Sequence, residues 1–197
     1  KGEVRFFLPI GLAAMMSLSA CQSAPSVAEG TEEAAARMSS LPGQQAPDFE
    51  LQDHQRRRVR LSDFAGRWVV LYFYPQDETP GCNCQADEFS NLIESFQSFG
   101  SVVVGISPDP PDVHLRFRQS RRLRITLLSD RDHQVMRLYG AWVVSPGRVA
   151  DLGRVVRTTF LVDPTGQIVW HWPEVIPEGH AARVHRRLKE LHAGSGQ

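Results

Sequence analysis

Two of the three cysteines, Cys82 and Cys84, stand two residues apart just after the strongest strand signal in the chain. The stretch reads Tyr72-Phe73-Tyr74-Pro75-Gln76-Asp77-Glu78-Thr79-Pro80-Gly81-Cys82-Asn83-Cys84-Gln85-Ala86-Asp87. A cysteine acts as a nucleophile through its thiolate. A helix N-terminus stabilises that anion with unpaired N–H groups and a partial positive charge. An ordinary thiol is only a few per cent ionised at pH 7, whereas a pKa near ~6 makes it about 90% thiolate. Cys82 falls at such a helix start, so sulfur nucleophile chemistry is the candidate. A buried, inert thiol is the alternative. Pro75 and Pro80 stiffen the connecting loop by fixing their own φ angles.

The elements around this loop alternate. Residues 68–74 are continuously apolar and aromatic, as in a central strand covered on both faces, and Pro75 stops them. Residues 85–99 carry Phe89, Leu92, Ile93, Phe96 and Phe99 at helical steps, with Gly100 as the terminator. Strands are expected at 49–51, 57–61, 102–106, 125–128, 154–162 and 168–172. Helices are expected at 111–123, 133–139 and 179–192, with a helical turn opening at Ser62-Asp63. In the helix at 111–123, Val113, Leu115 and Phe117 are the apolar candidates. The pattern is α/β with a mixed central sheet flanked by helices. Active sites of open α/β sheets lie beyond the carboxyl ends of strands, which is where Cys82 sits.

Composition narrows the function. The 197 residues hold 22 basic and 22 acidic side chains, so the chain is formally neutral and lacks the basic excess of a nucleic-acid binder. Three cysteines are too few for a disulfide scaffold or a four-cysteine zinc site. None of the 7 histidines forms a ligand pair with the cysteines at a recognised spacing, so no metal or other cofactor is expected. No Gly-x-Gly-x-x-Gly or Walker sequence follows a strand. Arg56-Arg57-Arg58 and Arg121-Arg122 read as solvated faces, and Trp170 and Trp172 as packing residues of a strand.

The string Tyr-Phe-Tyr-Pro-x-Asp-x-Thr-Pro-Gly-Cys resembles the active-site motif of peroxiredoxins, in the bacterioferritin-comigratory-protein branch. Two further segments agree with that branch: Leu127-Leu128-Ser129-Asp130 with His133-Gln134-Val135, and Arg157-Thr158-Thr159-Phe160-Leu161-Val162-Asp163. The resemblance implies a thioredoxin-like fold and reduction of hydrogen peroxide or organic hydroperoxides. It implies that Cys82 attacks the peroxide, becoming a sulfenic acid, and that Thr79 places its hydroxyl on thiolate and substrate. Arg157 would stabilise developing charge, Pro75 would shield the sulfur, and the N–H groups of Gly81 and Cys82 would complete a cradle.

The departures concern the second half of the cycle. Members of this branch carry a resolving cysteine five positions after the first, where this chain has Asp87, or one helix further on, near Arg118. Cys84 is the possible resolver. Residues two apart on a helix diverge by about 200°, so a Cys82–Cys84 disulfide needs the first turn to unwind. A one-cysteine cycle with an external thiol reductant stands beside it, as does intermolecular resolution or a packing role for Cys84.

The N-terminus predicts an address. Lys1 and Arg5 precede an apolar run at 6–18, too short for a transmembrane helix, as in a secretory signal peptide. Leu18-Ser19-Ala20-Cys21 resembles a bacterial lipobox, which implies lipidation of Cys21. Residues 1–20 are expected as lipoprotein signal peptide, 21–45 as a flexible tether, and 46–192 as the peroxiredoxin domain. The expectation is therefore a thiol peroxidase for antioxidant defence, lipid-anchored in the bacterial cell envelope. Its partners would be a hydroperoxide and a thioredoxin-like or small-thiol reductant, in a monomer or weak dimer. The alternative is an envelope thiol–disulfide oxidoreductase or thioredoxin-like protein without peroxidase activity.

Overall fold

The structure, a computed structural model, describes Gly2 and residues 42–144 and 153–194. Apart from Gly2, the expected signal peptide, Cys21 and the tether up to residue 41 lie outside the described residues.

Strand β4 (Trp68–Phe73) is the centre of the molecule, with every residue buried. Successive side chains of a strand point to opposite faces. Trp68, Val70 and Tyr72 accordingly enter one apolar cluster, and Val69, Leu71 and Phe73 enter another. The first cluster lies under three helices, α1 (Pro80–Asn91), α2 (Ile93–Gln97) and α5 (His180–Gly194), through Phe89, Ile93, Phe96, Val184 and Leu188. The second lies under α4 (Gln134–Leu138) through Val135 and Met136, with Tyr139 beside them. Burying each such side chain contributes about 1.5–3 kcal/mol.

The sheet runs β1-β10-β9-β4-β5-β6-β2-β3, with β1 Gln44–Gln45, β2 Glu50–Asp53, β3 Arg58–Arg60, β5 Ser101–Ser107, β6 Thr126–Ser129, β9 Thr158–Val162 and β10 Gln167–Trp172. The β4–β5 and β5–β6 pairs are parallel, while β9 pairs with β4 antiparallel. Helix α3 (Pro111–Arg121) connects β5 to β6. The expected mixed sheet flanked by helices is present.

Several expected boundaries shift. Gln44–Gln45 pairs with β10, so the sheet takes in residues that had been assigned to the tether. The helix expected at 85–99 begins at Pro80 and breaks at Leu92 into α1 and α2. Pro80 at the first helical position accounts for the early start, since its fixed φ suits that place. The strand expected at 154–162 divides in two. Its first part, β8 (Arg154–Val155), pairs with β7 (Trp142–Val143) in a separate ribbon, and β9 follows after two unpaired residues. On α3 the buried face is Pro111, His114 and Phe117 rather than Val113 and Leu115. Leu115 is exposed, because a buried partner for His114 turns the helix toward the active-site loop.

Candidate active site at the start of helix α1

Thr79 is the N-cap of α1, with extended backbone (φ −83°, ψ 150°). Its Oγ donates to the Gln76 carbonyl at 3.1 Å, which tightens the loop rather than capping the helix. Pro80 has no N–H, and the Asn83 N–H is taken by the Thr79 carbonyl at 2.8 Å. The first helical N–H groups otherwise lack intrahelical partners, which leaves those of Gly81 and Cys82. Both expected cradle groups are therefore free donors at one helix end, adjoining Cys82.

The Cys82 side chain is buried, with 2% of its surface exposed. Arg157 Nη2 lies 3.2 Å from its Sγ. Arg157 Nη1 donates to Gln85 Oε1 at 2.6 Å, so the guanidinium fork spans Cys82 and the residue three places on. Residues i and i+3 share a helix face. Gln85 is fully buried, and sequence reasoning missed it; its helical spacing from Cys82 was the available signal.

Arg157 occupies the two-residue gap between β8 and β9, not a regular strand position. Its carbonyl accepts the Val175 N–H at 2.8 Å. The next residue, Thr158, donates its hydroxyl to the Trp172 carbonyl at 3.0 Å, and so accepts from His171 Nε2 at 2.7 Å. Thr159 bonds His180 Nε2 at 2.9 Å. Burial lowers His180 to about 3, helped by the Arg183 and Arg157 charges, and lowers His171 to about 4. Both rings are neutral struts at neutral pH, and they fix the start of β9, immediately after Arg157.

Gly81 has a steric reason. A Cβ there would stand 3.3 Å from Pro177 Cγ and 3.5 Å from Arg157 Nη2. The segment between β10 and α5 therefore closes down beside the thiol. Pro75, expected as the shield of the sulfur, is exposed at the end of β4.

Cys84 faces elsewhere. It is half-buried, and its thiol lies 3.7 Å from Glu88 Oε1. Burial and the Glu88 and Glu178 carboxylates push this thiol up. The same Glu88 caps α5, accepting the Gly179 N–H at 2.6 Å. Cys82 and Cys84 are both free thiols. Asp87 bears an ion pair with Arg121 of α3, and Arg118 contacts His54. Arg121, expected on a solvated face, is thus tied to α1.

Two open concavities, of about 630 and 520 Å³, lie away from Cys82 against other strands. Among the described residues, no group of three or more His, Cys, Asp or Glu could hold a metal ion.

A free, buried thiol at a helix N-terminus beneath an arginine, on a mixed sheet between helix layers, defines a thioredoxin-like peroxiredoxin. Residues 42–171 match the AhpC/TSA family, and the chain belongs to it. It is 36% identical over 149 residues to Peroxiredoxin Bcp of Bacillus subtilis, spanning 76% of this chain and 95% of that one. With the putative peroxiredoxin bcp of Coxiella burnetii it shares 41% over 151 residues, 77% of this chain and all of that one. The structure resembles the bacterioferritin comigratory protein of Xanthomonas campestris with a TM-score of 0.69 at 30% identity, covering 78% and 97% of the two chains. It resembles BcpB of Mycobacterium tuberculosis with a TM-score of 0.70 at 32% identity, covering 77% and 97%. These relatives place the chain in the Bcp/PrxQ branch, as a thiol peroxidase.

Proposed function

We propose that the chain reduces hydroperoxides through a sulfenic acid on Cys82 and is returned to the thiol by an external thiol, in a one-cysteine cycle at the cell envelope. The observation that carries this reading is the 3.2 Å approach of Arg157 Nη2 to the Cys82 sulfur. The Cys82 thiolate attacks one peroxide oxygen, forming an S–O bond as the O–O bond breaks. The leaving oxygen departs with the electron pair and takes a proton as water or alcohol. Cys82 is left as sulfenic acid. Arg157 and the N–H groups of Gly81 and Cys82 stand where charge builds on the two oxygens. One reductant thiol then forms a mixed disulfide with Cys82 and releases water. A second thiol, from the same reductant protein or another molecule, frees Cys82 and leaves the reductant oxidised.

The external reductant follows from what surrounds Cys84. Resolution needs a thiolate, and burial with two carboxylates holds Cys84 as a thiol. It also lies against Glu88, on the α5 side of α1, while Cys82 lies under Arg157. The lipobox-like Leu18-Ser19-Ala20-Cys21 supports the envelope address, with Cys21 lipidated and residues 21–45 as the tether.

Stopped-flow oxidation of the reduced protein by hydrogen peroxide tests the reading. A fast single phase that vanishes in Cys82→Ser is expected, with the product trapped at Cys82 by dimedone. No oxidation of Cys82 would sink it. For the address, metabolic labelling with a fatty acid should mark the full chain and spare Cys21→Ser.

A further inference from the structure

The reaction leaves one buried pair of titratable side chains without a task. Asp77 lies in the active-site loop with 4% of its surface exposed, and His114 of α3 has none exposed. His114 Nδ1 lies 2.7 Å from Asp77 Oδ2. The carboxylate is the acceptor here, so the imidazole carries a proton on Nδ1. The Tyr74 hydroxyl donates to the other oxygen, Oδ1, at 2.7 Å. Burial holds the Tyr74 phenol well above its ordinary range, so it remains a donor. The Asp77 backbone N–H donates to Asp109 Oδ2 at 2.8 Å, and Ser107 Oγ donates to the same oxygen at 2.7 Å.

One loop residue is thereby held from three elements: the end of β4, the turn after β5, and the inner face of α3. The loop it belongs to also holds an uncommon backbone conformation. Glu78, the next residue, sits at φ +61°, a left-handed conformation that a non-glycine residue keeps only where its surroundings impose it. Thr79 follows as the N-cap of α1, and Gly81 and Cys82 follow that. The arrangement also carries a cost, since His114 Nε2 is buried with no partner among the described residues. Apolar residues of similar volume would fill such a place at least as stably. The directed bonds from His114 Nδ1 and the Tyr74 hydroxyl to the two Asp77 oxygens instead select one geometry.

We propose that the Asp77–His114 pair, completed by Tyr74, is a positioning device for the peroxide cradle, holding Thr79 and the first turn of α1 in register with Arg157. This rests on the peroxidase reading above. His114 touches neither the sulfur nor Arg157, so it is a positioning residue and not a catalytic one. A misplacement of about 1 Å in a reacting geometry can cost about 100-fold in rate.

The test compares two electrophiles on reduced protein well below each variant's melting temperature. Hydrogen peroxide needs the cradle, whereas iodoacetamide makes no use of its donors and reports only how far the thiol is reached and ionised. In His114→Leu the rate with peroxide should fall about 100-fold while alkylation of Cys82 stays at the wild-type rate. His114→Asn, which can offer a side-chain N–H in place of Nδ1, should recover most of the peroxide rate. A His114→Leu protein that reacts with peroxide at the wild-type rate, whatever its melting temperature, overturns the proposal. An equal loss with both electrophiles also overturns it, since that is general damage to the site. If His114→Leu does not fold, Tyr74→Phe decides: it removes one bond at nearly constant volume and should slow peroxide about tenfold. A wild-type rate in Tyr74→Phe would then end the proposal. A wild-type protein that ignores peroxide sinks the peroxidase reading itself, and this one with it.

Discussion

Asp87 of α1 and Arg121 of α3 form an ion pair across the seam between the two helices, with about a third of each side chain exposed. Asp87 stands where many members of the branch carry their resolving cysteine. That position here holds a charge that ties α1 to its neighbour. An exposed pair of this kind contributes only about 0.2–1 kcal/mol, so it biases the helix without locking it.

Restoring a thiol at this position should restore internal resolution. Asp87→Cys removes the ion pair and places sulfur one and a half turns from Cys82. With one equivalent of peroxide it should form an intramolecular disulfide, seen as a mass loss of two hydrogens and one bond in a peptide map. The wild type should form none. If Asp87→Cys yields only sulfenic acid, α1 does not open enough to bring the two sulfurs together.

Cys84→Ser should leave peroxide reduction with a small external thiol at the wild-type rate. Its thiol is held protonated by burial and by Glu88 and Glu178, so it contributes no attacking thiolate. A Cys82–Cys84 disulfide in the oxidised wild type, with slower turnover in the serine variant, would overturn the one-cysteine cycle.

Arg157→Lys keeps one positive charge and loses the fork. A single ammonium cannot meet both Cys82 Sγ and Gln85 Oε1 as the guanidinium does at 3.2 and 2.6 Å. The rate constant for peroxide should fall by about 100-fold or more, judged from the loss of a single preorganised donor elsewhere. Gln85→Leu should fall less, because it leaves Arg157 charged but untethered. Equal rates for wild type and Arg157→Lys would remove Arg157 from the reaction.

Acid should loosen the strand that follows Arg157. His180 is lowered to about 3 and His171 to about 4, whereas an unfolded histidine titrates near ~6.5. Between those values the unfolded chain binds more protons than the folded one. Stability from these two groups is therefore complete above about pH 6.5 and is lost as pH falls toward 4 and then 3. Thermal melts from pH 7 to pH 4 should show a falling midpoint, with a smaller slope in His180→Gln. An unchanged slope would show that His180 does not titrate differently on unfolding.

Much of this was legible in the sequence because the decisive residues were apolar runs or sharp punctuation. β4 is six consecutive buried residues, and no amphipathic alternative competes with it. Cys82, Thr79, Gly81 and Arg157 stood within motifs that fixed their neighbourhood, and the structure brings Cys82, Gly81 and Arg157 together. What escaped were polar residues whose burial depends on a distant partner. His114 carried no signal of its own in the sequence, because its partner Asp77 lies 37 residues away. Gln85 drew no notice beside Cys82, because Arg157 comes to it from 72 residues downstream. The gap at Arg157 escaped for a related reason. Residues 154–162 are rich in β-branched side chains with no Gly or Pro between them, which reads as one strand, and only the pairing of β8 with β7 shows that the segment serves two sheets.

The distance along the chain between Cys82 and Arg157, 75 residues, has a consequence for when the protein becomes reactive. A growing or clipped chain that ends before Arg157 contains the nucleophile but neither its arginine nor the Glu88-capped helix that follows. The thiol acquires its full setting only once the last strands and α5 have closed over it. The site is therefore a product of completed folding, and no part of the chain that stops short of Arg157 holds both the sulfur and its guanidinium.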